Sequence, residues 1–304
     1  MKKIYLFSTI VFILFSCTKE VVIPIDQSKA KLVVNGLFNT DSLWKIEVSA
    51  SRYIYDTTSL PLINDANVTI TDQDNNSLQL SNQGQGIYTS NIEKPEIGNS
   101  YFISVSHPDY DNVSSSNQLP SAVNITNIDW QEQILIDGEL KRKVKITFID
   151  SPDPDYYVLR LQAHVWTVEE EGNTSDTSRE IIPVYFSSQN AAVENQNDND
   201  FYSSTNFTDA LFNDGEYTID ILADEFYFTG KEEDSEEDIF GIDSISIVMS
   251  KVSQEYYYYE SSYQSFTSSR YSFAQPVQVY SNIENGHGIF AGFSSLKRVI
   301  DLNN

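Results

Sequence analysis

The sequence predicts a mainly β protein of two sandwich-like units with one short helix, and three observations predict it. Nineteen tyrosines and seventeen phenylalanines against two methionines favour strands, because aromatic side chains suit a pleated, half-buried surface. Short runs alternating apolar and polar residues recur along the chain, bounded by Gly, Pro, Asn or Asp. The 304 residues are enough for about two domains.

In the first unit, residues 30–120, the apolar run 31–38 is interrupted by Gly36, and in 43–49 Trp44, Ile46 and Val48 fall on one face. Both are predicted strands. Residues 67–80 hold two alternating runs around a polar turn, and 86–88 and 98–106 supply further strands. This spacing indicates an immunoglobulin-like β-sandwich that ends at Pro120.

The second, larger β-rich unit spans 121–304. Residues 143–148 alternate, and 156–166 do so for longer, with Tyr157, Leu159, Leu161, Ala163 and Val165 on one face of a central strand. A polar insert, 169–179, then separates it from 181–186, where Pro183 marks an edge strand or strand end. Residues 189–206, rich in Asn and Asp, are predicted to form a long exposed loop, and the acid run 232–238 a solvated one. Strands are expected at 217–222 and 242–249. Ser253 can cap a helix whose Tyr256, Tyr259, Tyr263 and Phe266 share a face, with Tyr257 and Tyr258 off it. That pattern predicts a helix docked on the sandwich; an aromatic partner-binding surface is the competing reading.

The composition excludes one class of partner. A formal charge of −25 repels phosphate backbones and lacks the basic stripe that nucleic-acid binding needs. The three histidines, His107, His164 and His287, lie far apart and in no ligand pattern, and no Gly-x-Ser-x-Gly elbow or phosphate-cradling glycine loop occurs. No catalytic residue, metal site or cofactor is therefore predicted. Asp72, Asp74 and Asn76 begin like a calcium loop, but Ser77 replaces the glycine and Gln83 the bidentate glutamate, so a hairpin turn is expected. Asp150, Asp153 and Asp155, interleaved with Pro152 and Pro154, form an acid-rich turn for which weak calcium binding stays open.

The first residues indicate location. Lys2 and Lys3 precede an apolar run from Ile4 to Phe15, too short to cross about 30 Å of hydrocarbon as a helix. Leu14-Phe15-Ser16-Cys17 resembles the lipobox of bacterial lipoproteins, in which the cysteine becomes the lipidated first residue of the mature chain. Residues 1–17 are then a signal peptide and 18–29 a tether, with Cys17, the chain's one cysteine, as the lipidation site. An ordinary secretory signal is the alternative. Lys19-Glu20 partly resembles a lysine-plus-acid signal for display at the cell surface.

Residues 275–292, with Ser281-Asn-Ile-x-Asn-Gly-x-Gly-Ile-Phe290 at their centre, the early Leu-Val-Val-Asn-Gly-Leu-Phe run and the Tyr-rich segment after Ser253 carry a wider resemblance. Together they resemble a Bacteroidota lipoprotein family catalogued as domain of unknown function 4249. The resemblance implies an outer-membrane lipoprotein, often encoded beside a TonB-dependent receptor, with no catalytic residues to transfer. Asn285, Gly286 and Gly288 suit a tight turn of positive φ, from which Ile289, Phe290 and Phe293 lead a closing strand into the core. The expected function is a non-enzymatic, lipid-anchored accessory protein that partners a TonB-dependent receptor in ligand capture or uptake. A surface glycan-binding or glycan-active protein and a structural or adhesive lipoprotein are the alternatives.

Overall fold

The computed structural model describes residues 29–53, 56–171, 174–193, 204–225, 228, 241–269 and 277–302. Cys17, the signal, the tether up to residue 28 and the acid run 232–238 lie outside them. The described chain is mainly β. The first eight strands are β1 (Leu32–Phe38), β2 (Lys45–Ala50), β3 (Asn67–Asp72), β4 (Ser77–Gln79), β5 (Ser81–Gly84), β6 (Ile87–Thr89), β7 (Ser100–Ser106) and β8 (Val113–Gln118). Then come β9 (Asn124–Ile136), β10 (Glu139–Asp150), β11 (Tyr156–Glu171), β12 (Thr174–Pro183), β13 (Phe186–Ser187), β14 (Ser204–Thr208), β15 (Gly215–Asp224) and β16 (Gly241–Val252). The helix α1 (Gln254–Ser269) and the last strand, β17 (His287–Asp301), complete the fold.

One nine-stranded sheet, ordered β12-β11-β16-β17-β1-β2-β6-β5 with β14 also on β11, runs through both units. A four-stranded sheet, β4-β3-β7-β8, shares a core with its N-terminal part, and a second, β13-β15-β10-β9, with its C-terminal part. The first core holds Trp44, Ile46, Val48, Val68, Ile70 and Tyr88. Those residues stand in the inward phase of the strands expected from sequence. The second core holds Tyr157, Leu159, Leu161, Ala163 and Val165 of β11, which lies between β12 and β16 and is central as expected.

The strand β17 joins the two units. Residues 287–292 pair in parallel with β1, and residues 293–301 pair antiparallel with β16. Phe290 points into the N-terminal core, 4.8 Å from the ring of Phe38, while Ile300 belongs to the C-terminal core. Ile289, on the opposite face, packs beneath α1. A Cβ on Gly292 would stand 2.8 Å from the Gln118 carbonyl and 2.9 Å from Leu119 Cα, so the glycine lets the chain leaving β8 cross close over β17. The N-terminal sandwich is thus completed by residues from the other end of the sequence, which the boundary at 120 does not anticipate.

Three further expectations are corrected. The polar insert 169–179 is not a separating loop, because β11 and β12 continue as one long hairpin whose ladder reaches Glu171 and Thr174. The predicted loop 189–206 carries structure at both described ends: Ala192 and Val193 are buried, and Ser204–Asn206 open β14, where Thr205 and Asn206 are buried. In α1 the capping holds, since the Tyr256 N–H donates to Ser253 Oγ at 3.3 Å, but the docked face differs. Of the expected face Tyr256 is buried on Val158, Val252, Ile289 and Ala291 and Tyr259 packs against the same cluster, but Tyr257, expected off that face, is buried there too and Tyr263 is 46% exposed. The helix lies on the sheet by its first two turns, with Glu260 paired to Arg160 of β11 at 3.1 Å and Ser261 accepting from Asn206 of β14 at 3.3 Å.

Candidate functional site

The most concentrated chemistry lies at one end of the C-terminal core. On β10 the inward residues run Val144, Ile146, Phe148 and then Asp150; on β16 they run Ile245, Ile247, Met249 and then Lys251. Each facing strand therefore continues its apolar stripe with a charge. The turn after β10, stiffened by Pro152 and Pro154, returns Asp155 to the same place, and Asp209 arrives just beyond β14. Asp150, Asp155 and Asp209 are all buried and each offers an oxygen within 4.8 Å of the others.

The group is densely hydrogen-bonded. The Lys251 ammonium pairs with Asp155 and donates to Ser151 Oγ at 2.9 Å and Ser121 Oγ at 3.0 Å. The Tyr157 hydroxyl donates to Asp150 Oδ1 at 2.5 Å and lies 3.2 Å from Asp155 Oδ2, to which Ser151 Oγ donates at 2.5 Å. Backbone N–H groups of Asp155 and Asp214 donate to Asp209 at 2.8 Å and Asp150 at 3.1 Å. Burial, with the Asp150 hydrogen bond second, pushes the Tyr157 hydroxyl pKa well above its ordinary value. Burial is also the main cause that raises Asp209, with the charges of Asp150 and Asp155 adding to it.

Three carboxylates in that space have the chemistry to hold a hard cation. Here the ammonium of Lys251 fills that electrostatic role, and through Ser121 it ties the segment between the two sandwiches to the C-terminal core. The arrangement is a buried ion network; breaking such a network by removing one partner costs about 3–5 kcal/mol. Of the acid-rich turn read from sequence, Asp150 and Asp155 are brought together and Asp153 is exposed and apart. Asp209 and Lys251 were not legible as members. The inward phase of Lys251 on an alternating strand was the available signal; Asp209 had none.

The remaining candidates resolve as structure. Asp72 accepts from the N–H groups of Asp74 and Asn76 at 2.9 and 2.8 Å and from Asn76 Nδ2 at 2.9 Å, closing the β3–β4 hairpin as expected. The Asn76 side-chain hydrogen bond, first among these, holds the Asp72 pKa below its ordinary value. His107 lies 3.0 Å from Asp65 and against the Tyr110 ring. His164 meets Ser246 Oγ at 2.7 Å, and partial burial with Lys297 nearby lowers its pKa. His287 is exposed at the start of β17. None of these imidazoles sits with another. Described residues line clefts of about 300, 390 and 450 Å³, and no member of the aspartate group lines any of these.

No curated protein matches the sequence. A solved structure described as "Complete structure of manganese lipoxygenase of Gaeumannomyces graminis and partial structure of zonadhesin of Komagataella pastoris" aligns over 92% of this chain and 97% of its own, at 11% identity. Its TM-score of 0.18 carries no inference about fold or activity. The profile of a family described as "Domain of unknown function (DUF4249)" matches residues 18–298.

Proposed function

This chain belongs to the DUF4249 family, and on that premise we propose that it is a lipid-anchored accessory protein of the outer membrane that partners a TonB-dependent receptor in ligand capture or uptake and catalyses no reaction. The observation that carries the reading is Cys17, the one cysteine, placed directly after a short apolar run opened by two lysines. Each buried methylene contributes roughly 0.8 kcal/mol, so several acyl chains on that residue hold a folded body at a bilayer without a spanning helix. The match that begins at residue 18 supports it, since the apolar run stays outside the matched part.

The test is the full-length protein and its Cys17→Ala variant expressed in a native outer-membrane background. The wild type is expected to incorporate palmitate, to stay with membranes until detergent is added, and to bring down a β-barrel receptor on affinity purification; the variant is expected to lose labelling. Unchanged labelling in the variant sinks the anchor, and a purification without any β-barrel sinks the partnership.

A further inference from the structure

Among the described residues the C-terminal sandwich is closed on one side and open on the other. At the β12–β13 side the chain itself passes from one sheet to the next, with the Val184 N–H donating to the Leu161 carbonyl at 3.0 Å. At the other side two edges are unpaired among the described residues. The strand β1 accompanies β17 only as far as Gly292, so residues 293–301 have β16 on one flank and no strand on the other. Across from them β9 pairs with β10 alone. Between the two edges runs a cleft of about 450 Å³, lined among others by Ile128 and Trp130 of β9 and by Arg298, Val299, Ile300 and, at its end, Asp301 of β17.

Charge distinguishes this seam from an ordinary sheet edge. Nine described lysines and arginines lie within salt-bridge distance of a carboxylate in this strongly acidic chain. Of the other five described cations, Lys31, Arg52 and Lys94 are scattered along the sequence, whereas Lys297 and Arg298 are adjacent on the free edge, with Lys297 Nζ 3.4 Å from His164 Nε2. Arg298 shares the inward phase of Ile300 and lines the cleft, whereas Lys297 and the 57% exposed Val299 stand on the other phase. A strand laid along this edge meets one cation on each of its faces, an exposed valine, and a tryptophan across the groove.

We infer that the seam is a docking site for an extended, acidic polypeptide segment of a partner protein, which adds to residues 293–301 of β17 as a further strand. Backbone hydrogen bonds supply the attachment in such strand addition, and side chains at alternate positions supply the selectivity. Charged residues on edges also guard against aggregation, and here that guard acts selectively. A negatively charged strand meets attraction instead. The inference does not rest on membrane anchoring, because the seam belongs to the folded body.

Full-length protein in detergent is titrated with two fluorescent synthetic octapeptides, one alternating valine with glutamate and the other valine with lysine. The acidic peptide is expected to bind saturably, more weakly as salt rises, and to slow amide hydrogen exchange within residues 293–301. The double variant Lys297→Glu, Arg298→Glu is expected to bind it at least about tenfold more weakly, which corresponds to about 1.4 kcal/mol. Should the double variant fail to fold, Arg298→Gln must weaken binding in the same direction. Equal binding of the two peptides, no binding, or protection confined to other strands overturns the inference. So does a concentration-dependent dimer that the substitutions dissolve, which would put a second copy in the seam.

Discussion

At the scale of single residues, the decisive feature is the imbalance around Lys251. One ammonium faces three buried carboxylates, and the fold meets the excess negative charge by raising the pKa of Asp209, chiefly through burial. A folded-state pKa raised above the ordinary value of 3.8 means that the protonated form is the one the fold favours. That contribution is full below the unfolded pKa and is lost as pH rises through the folded one. Asp209→Asn keeps an oxygen that can accept the Asp155 N–H and removes the charge. Its urea midpoint is therefore expected to match the wild type near about pH 4 and to exceed it near about pH 7, because only the wild type then carries the extra buried charge. A variant that is less stable at the higher pH would show that the ionised carboxylate is needed. The same neighbourhood shows what a sequence can reveal. Phase along a strand marks Asp150 and Lys251 as inward, but which inward charges meet depends on how sheets stack, and Asp209, in a turn, has no phase to read.

At the scale of elements, β17 carries the fold. Its entry was legible: Asn285 and Gly288 adopt φ of 60° and 110°, as the tight turn requires, while Gly286 does not need a positive φ. Its pairing was not. A parallel partnership with β1, from the opposite end of the chain, leaves no local mark, because residue pattern specifies which face is buried and says little about which strand lies alongside. The helix α1 shows the same limit, with its period readable and its docked face not. At Gly288 the demand is steric as well as conformational, since a Cβ would stand 2.1 Å from the Val34 carbonyl oxygen of the paired strand. Gly288→Ala is therefore expected to lower stability by about 2 kcal/mol or more, read as a fall in the urea midpoint with the slope unchanged. A neutral result would mean that β1 and β17 separate there without penalty.

At the scale of the whole molecule, the question is whether two sandwiches sharing one strand behave as two domains. Hydrogen bonds outside the β17 ladders also cross between them. Lys251 holds Ser121; the Gly292 N–H donates to Asn117 Oδ1 at 2.8 Å; and Asn117 Nδ2 donates to Glu255 of α1 at 2.6 Å. Because residues 287–292 and 293–301 are one continuous strand, loss of the β1 ladder frees the segment that also flanks β16. The two cores should then melt together, as small cooperative units do. Phe290→Ala removes a fully buried ring from the N-terminal core alone and is expected to lower stability by about 3–5 kcal/mol. The discriminating measurement uses Trp44 as a reporter of the first core and Trp130 as a reporter of the second, each in a variant lacking the other tryptophans. With coupled cores, Phe290→Ala moves both reporters to the same lower midpoint. If Trp44 shifts while Trp130 stays, the shared strand is a seam between independent domains, and the rigidity that a receptor-docked body would use is not built into it.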